Sequence, residues 1–332
     1  MTRIPSSPPT IAPLPPATAR PLWSVMIPVY NCGQFLKETL KSVLAQALPE
    51  EQMQIEVVDD ASSDIDVAAL VHQVGKGRIH YFRQPQNMGS LRNFETCLNR
   101  SRGQLVHLLH GDDTVAPGYY RQIGQLFTQY PQAGAAFCRY QCIDEAGEKV
   151  YEKTPEQPYD GLLDNWLLRI GTRQQIQYVA MTVRREVYEK LGSFYGITYG
   201  EDWEMWVRIA RHYPVAYTPQ ILAFYREHSI SISGNKFLNG EHLQDLAQAM
   251  EMIQEHLPEE QKRQILKESR QYYAGYGLQV AHKLWDQLHN QQVVQAQIKQ
   301  AFLLYKSPRL YLTSLKLKAI LTLHKVWNRV SP

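Results

Sequence analysis

Ser24-Val25-Met26-Ile27-Pro28-Val29 is a short apolar run that ends in Tyr30-Asn31, and beyond it Leu36, Leu40, Val43 and Leu44 fall at helical spacing between Phe35 and Gln46. The same pairing then recurs. Ile55 to Val58 leads into a helical pattern around Ile65 to Val74, Ile79 to Phe82 into one near Leu91 to Arg100, and Leu105 to Leu109 closes the series. Short apolar runs separated by amphipathic stretches are strands separated by helices, which implies a parallel sheet with helices on its faces, a Rossmann-like layer structure.

In such sheets ligands bind where the carboxyl ends of the strands gather their loops. The first strand ends in Pro28-Val29-Tyr30-Asn31, the second in Asp59-Asp60-Ala61-Ser62-Ser63-Asp64, and the fourth in His110-Gly111-Asp112-Asp113. Two acidic clusters therefore face one crevice. Carboxylates alone there would repel, so a cation or a base with N–H donors is the natural occupant. Each cluster has a plainer alternative: Asp112 and Asp113 as a turn before the helix near Pro117, and Ser63 or Asp64 as a cap on the next helix. Neither GxGxxG nor GxxxxGK[ST] occurs, which excludes the dinucleotide fingerprint and the P-loop.

Outward from this core the pattern loosens. A helix is predicted from Pro117 to Tyr130, strands over Ala133 to Tyr140 and Gln177 to Val183, and a short helix ending near Gly192. Glu201-Asp202-Trp203-Glu204-Met205-Trp206-Val207-Arg208 opens a further helix with its acids in the first turn. Beyond Asn235 almost everything reads as helix. At the other end, seven of the 19 prolines lie in the first 21 residues, before any aromatic residue, so residues 1–21 read as a disordered or polyproline-like lead.

The chain has 332 residues with 35 Lys and Arg against 32 Asp and Glu, a globular balance. The last 32 residues nonetheless hold six basic side chains (Lys306, Arg309, Lys316, Lys318, Lys325, Arg329) and no acidic one. A positive tail on a slightly acidic body argues against a nucleic-acid-binding protein. The four cysteines form no CxxC pair, and no stretch has the length of a membrane span or the apolar core of a signal peptide. A cytoplasmic setting is therefore expected. Ser314, Lys318, Thr322, Lys325 and Arg329 trace one stripe of a terminal helix, with Leu312, Leu315, Ala319, Ile320 and Leu323 opposite. Two readings fit: residues 309–330 contact an anionic membrane, at the inner face of the cell membrane, or the helix packs on its neighbours with its lysines solvated.

The order Ser24 to Asn31, Ser42-Val43-Leu44-Ala45-Gln46, Val57 to Asp64, Asn87-Met88-Gly89, Gly111-Asp112-Asp113 and Glu201 to Arg208 resembles the family 2 glycosyltransferases over roughly residues 22–230. That resemblance implies a GT-A fold: an α/β, Rossmann-like mixed sheet flanked by helices over residues 22–235, here followed by an all-helical extension over 236–332. It implies transfer of a sugar, with inversion, from a nucleotide-sugar donor, most simply a UDP-sugar, to a hydroxyl of a glycan or lipid-linked acceptor, aided by Mg²⁺ or Mn²⁺. By the same resemblance Pro28, Tyr30 and Asp60 hold the base and ribose, Arg92 approaches the diphosphate or sugar, Asp112 contacts the ribose or sugar, Asp113 binds the metal and Asp202 is the general base. Tyr225-Arg226-Glu227-His228 resembles the family's Arg-x-His segment, where the histidine can reach the metal or the diphosphate, so His228 is expected as a second metal ligand, with a surface histidine in a flexible loop as the alternative.

His110 departs from the family, which more often has an apolar or Asp residue there. The chain also lacks Gln-x-x-Arg-Trp, a motif of the processive synthases, so addition of one or a few sugars is expected. Three other readings stay open at this point: a nucleotide-sugar-binding protein without catalysis, a helical adaptor that uses the front domain as a scaffold, and a nucleotidyltransferase.

Overall fold

The computed structural model describes residues 2–16, 18–228, 232–317 and 319, with no side chains described between 232 and 235. It divides into two compact units, one comprising the chain up to Leu167 together with Gln175–His228, the other Leu168–Gln174 and the chain after His228. The front unit thus ends at His228, seven residues before the expected boundary, and lends a short helical segment to the second.

In the front unit, β1 (Trp23–Val29) and β2 (Met53–Asp59) are buried along their whole length. Strands covered on both faces need continuous apolar character, which is what made them readable. With β3 (His80–Arg83) and β4 (Leu105–Leu108) they form a parallel sheet in the order β3-β2-β1-β4. The helices α1 (Gly33–Leu44), α2 (Val67–Gly75) and α3 (Ser90–Arg100) make the crossovers.

Beyond β4 the sheet becomes mixed. After β5 (Thr114–Val115) and α4 (Tyr119–Gln129) comes β6 (Ala135–Ile143), which pairs with β7 (Lys149–Glu152). β8 (Gly161–Leu162), α5 (Trp166–Thr172) and a single 3-10 turn over Tyr178–Ala180 lead to β9 (Met181–Arg184). β9 runs antiparallel between β4 and β6, so the strand expected from Gln177 begins instead with that turn. α6 (Arg185–Leu191) and α7 (Glu201–His212) precede β10 (Val215–Arg226), which pairs in parallel with β6 and closes the path through β5.

The lead is ordered, contrary to expectation. Ile11 is fully buried, and the carbonyls of Pro5 and Pro9 accept from the Gly196 and Ser193 N–H groups at 2.9 and 2.8 Å. Arg185 donates to the Ala12 carbonyl at 3.0 Å, and Arg20 to those of Arg102 and Gly103. Proline lacks an N–H and loses little freedom in an extended chain, so carbonyl anchors and one buried isoleucine suffice to hold the segment without a core of its own.

The second unit is helical. It contains α8 (Ile232–Asn239), α9 (Glu241–Ile253), α10 (Glu259–Leu288) and α11 (Gln291–Leu304), with further helix over 308–317. A Cβ on Gly277 would lie 2.7 Å from Leu243 and 3.3 Å from Ala301, so glycine permits the close crossing of α10 with α9 and α11. Most of the terminal stripe, from 318 onward except 319, lies outside the described residues. In the part described, Ser314 is buried while Leu312 and Leu315 are 63% and 59% exposed, the reverse of an outward polar stripe at this point.

Candidate active site

The first loops brace one another. Asn31 sits in the left-handed region at φ 48°, donates its N–H to Ser62 Oγ at 3.1 Å and accepts from Ser63 N at 2.8 Å. Asp64 Oδ2 accepts from Gly33 N at 2.8 Å, so it caps α1 rather than α2. The cap of α2 is Asp66, which accepts from Ala69 N. Asp59 is a brace as well: it accepts from Ser62 N, the Tyr81 hydroxyl and Arg83.

Asp60, only 2% exposed, accepts from Met88 N at 2.6 Å, Gly89 N at 2.9 Å and Asn87 Nδ2 at 3.1 Å. Burial pushes its carboxyl up, opposed by the Met88 and Gly89 N–H groups and by Arg3. Tyr30 stands half exposed in the preceding loop. The Pro28 carbonyl accepts from Gly111 N at 3.2 Å, tying the end of β1 to the acidic loop.

That loop lies tight against β1 because residue 111 is glycine: a Cβ there would be 2.9 Å from both Cys32 Sγ and Val29 Cγ2. Thr39 Oγ1 donates to the Gly111 carbonyl at 3.0 Å. Asp113, 1% exposed, accepts from Arg226 N at 2.9 Å. Burial and the charge of Asp112 push its carboxyl well up, against the pull of Arg226. Burial works the same way on Asp112, but the hydrogen bond with His228 and the charges of His110 and His228 carry its carboxyl below the usual range.

His110 completes the group. One ligand atom each from His110, Asp112 and Asp113 lie within 4.8 Å of one another. Burial depresses the imidazole pKa and favours the neutral ring, and its Nε2 is buried with no hydrogen-bond partner among the described residues. Two carboxylates and an imidazole nitrogen without a hydrogen bond fit a small divalent cation. The ring is held by Phe94 and Tyr178, with centroids at 5.2 and 4.5 Å.

The expected ligand His228 lies against Asp112 of this group. Its Nε2 is 2.9 Å from Asp112 Oδ2 and its ring packs on Phe35, so it supports Asp112 while His110 joins the metal-competent group. Arg226, which sequence reasoning passed over, fastens the loop. Besides its N–H on Asp113, Nε donates to the Asp112 carbonyl at 3.0 Å, Nη1 to the Asp144 and Glu145 carbonyls, and Nη2 to Glu38 at 2.7 Å. Its place in Arg-x-His was the only available signal.

The guanidinium of Arg92 engages Glu95 at 2.6 Å and the Thr2 carbonyl at 2.9 Å. α7 begins after Gly200, a left-handed cap at φ 89°, with Glu201 and Asp202 each 8% exposed. Tyr178, whose ring packs on His110, donates its hydroxyl to Glu201 Oε1 at 3.2 Å, which leaves one aromatic ring between the start of α7 and the acidic loop. Asp202 Oδ1 accepts from Trp203 N at 2.7 Å.

A mixed sheet of this order, with an Asp-Asp loop at the end of β4 and a second acidic segment opening α7, is the GT-A glycosyltransferase arrangement. The model of glycosyl transferase family 2 matches residues 24–192, and the chain belongs to that family. It is similar to an uncharacterized protein of Mycobacterium tuberculosis, 28% identical over 230 residues, covering 63% of this chain and 68% of that protein. An uncharacterized glycosyltransferase of Rickettsia typhi is 26% identical over 214 residues, covering 64% of this chain and 65% of that one. Among solved structures, S. aureus TarS 1–349 in complex with UDP-GlcNAc gives a TM-score of 0.62 at 17% identity, covering 89% of this chain and 87% of that one. The Pyrobaculum calidifontis mannosyltransferase PcManGT, in complex with GDP-Man and Mn²⁺, gives 0.56 at 19% identity, covering 98% and 85%. The protein is a glycosyltransferase.

Proposed function

We propose that this glycosyltransferase moves a sugar, with inversion, from a UDP-sugar to a hydroxyl of a glycan or lipid-linked acceptor. The observation that carries the reading is the grouping of His110, Asp112 and Asp113 at one strand end, with the Asp113 carboxyl pushed up by its burial and by Asp112. A divalent cation, Mg²⁺ or Mn²⁺, held by His110 and Asp113 would neutralise the charge gathering on the departing diphosphate. Binding of GDP-Man with Mn²⁺ by PcManGT and of UDP-GlcNAc by TarS supports a nucleotide-sugar in this crevice.

Asp60 would accept from the base, beside Tyr30 and Pro28, with its own carboxylate fixed by three N–H donors. Asp112, braced by His228, would contact the ribose or sugar. Inversion requires a base on the face of the sugar opposite the leaving group. Asp202 suits that role because it opens α7 on a separate segment from the acidic loop, where it would take the acceptor proton as the oxygen attacks. The exposed Leu312 and Leu315, with Lys306, Arg309 and Lys316 also exposed, support contact with an anionic membrane where a lipid-linked acceptor resides.

Screening UDP-, GDP- and dTDP-sugars for thermal stabilisation with and without Mn²⁺ tests the donor reading. Stabilisation by a UDP-sugar that requires Mn²⁺ and disappears in Asp113→Ala is the expected outcome. A response to GDP- or dTDP-sugars alone would overturn the uridine assignment.

A further inference from the structure

The proline-rich lead crosses the front unit to reach the loop that holds Asp60. Beyond its anchors at Pro5, Pro9 and Ala12, Thr2 accepts from Arg92, and the guanidinium of Arg3 donates to Asn87 Oδ1. Arg3 also lies over Gly89, where a Cβ would come 3.2 Å from its Nε.

The contact with Asn87 decides which way that amide faces. With Oδ1 taken by Arg3, Nδ2 is left to donate to the Asp60 carboxylate at 3.1 Å and the Asp60 carbonyl at 3.3 Å. The next two residues, Met88 and Gly89, supply the remaining donors to the same carboxylate. A residue nearly sixty positions away in sequence is thereby wired to the acid read above as the acceptor for the base.

We propose that Arg3 is a positioning residue for donor recognition, one that fixes the Asn87 amide and so holds the Asp60 carboxylate ready for the nucleobase. This rests on the donor reading given above. Arg3 belongs to the lead, outside the sheet and its loops, so its loss disturbs the base site rather than the metal group or Asp202.

The test is calorimetric titration of UDP, with Mn²⁺ present, into the full chain and its Arg3→Ala, Asn87→Ala, double and Asp60→Asn variants. Arg3→Ala and Asn87→Ala are each expected to weaken UDP about tenfold, as loss of a charge-assisted hydrogen bond does, and the double variant no further. Arg3→Lys should restore part of the affinity. In turnover with a UDP-sugar, Arg3→Ala should raise KM and leave kcat within about twofold. Independent, additive losses in the double variant would overturn the wiring through Asn87. Wild-type affinity in Arg3→Ala, with Asp60→Asn weakened, would overturn the inference alone. Unchanged affinity in Asp60→Asn would overturn the base reading and the inference with it.

Discussion

Asp113 and Asp202 are both buried acids, yet their surroundings differ. Asp113 shares its pocket with Asp112 and is pinned by the Arg226 N–H, an arrangement that favours a neighbouring cation. Asp202 opens a helix, where the dipole favours the carboxylate and Trp203 N donates to it. Asp202→Asn keeps the shape and removes the proposed base. Transfer is expected to fall at least about a hundredfold while UDP affinity stays within a few-fold, measured by product formation beside calorimetry. Equal turnover would remove Asp202 from the role. The strand-end acids were legible because apolar runs deliver them to the carboxyl edge of a parallel sheet, where ligands bind, even though a turn or a cap also accounts for acids there. Arg226 was not, since it acts through contacts to three separate segments that no spacing records. His110 was visible only as an oddity of the motif, and its place beside Asp112 and Asp113 depends on Phe94 and Tyr178 from distant elements.

At the scale of elements, β1, β2, β4 and the crossover helices followed directly from hydrophobic periodicity. β10 did not, although it is the longest strand described, because its pairing with β6 shifts register between Thr218 and Ala223 and its burial alternates irregularly. The lead was misread for a related reason: it is held by carbonyl acceptors, which composition does not reveal. Within β4, His107 is fully buried between Tyr119, Tyr120 and the Val179 carbonyl, and burial lowers its pKa to about 3. The unfolded chain binds that proton from pH 6.5 downward and the folded one resists it. The stability is therefore complete above pH 6.5 and lost as the pH falls toward 3, by up to about 1.4 kcal/mol per unit. In thermal unfolding between pH 7.5 and pH 5, wild type is expected to lose more stability than His107→Gln. Parallel curves would show that His107 does not govern the acid limb.

For the whole molecule, a net charge of +3 conceals an acidic crevice and a basic terminal segment. The crevice acids of the front unit belong to two groups with different surroundings, three N–H donors on Asp60, and the Arg226 N–H with His110 and Asp112 alongside for Asp113, where the cation is proposed. The direct measurement is calorimetric titration of UDP into wild type in Mn²⁺ and in EDTA, with Asp113→Ala alongside. The expected result is binding in Mn²⁺ that weakens at least tenfold in EDTA, and binding by Asp113→Ala that is weak in both. Binding of equal strength in Mn²⁺ and EDTA, or an Asp113→Ala variant that keeps the metal dependence, would contradict a nucleotide-sugar site built on that acid.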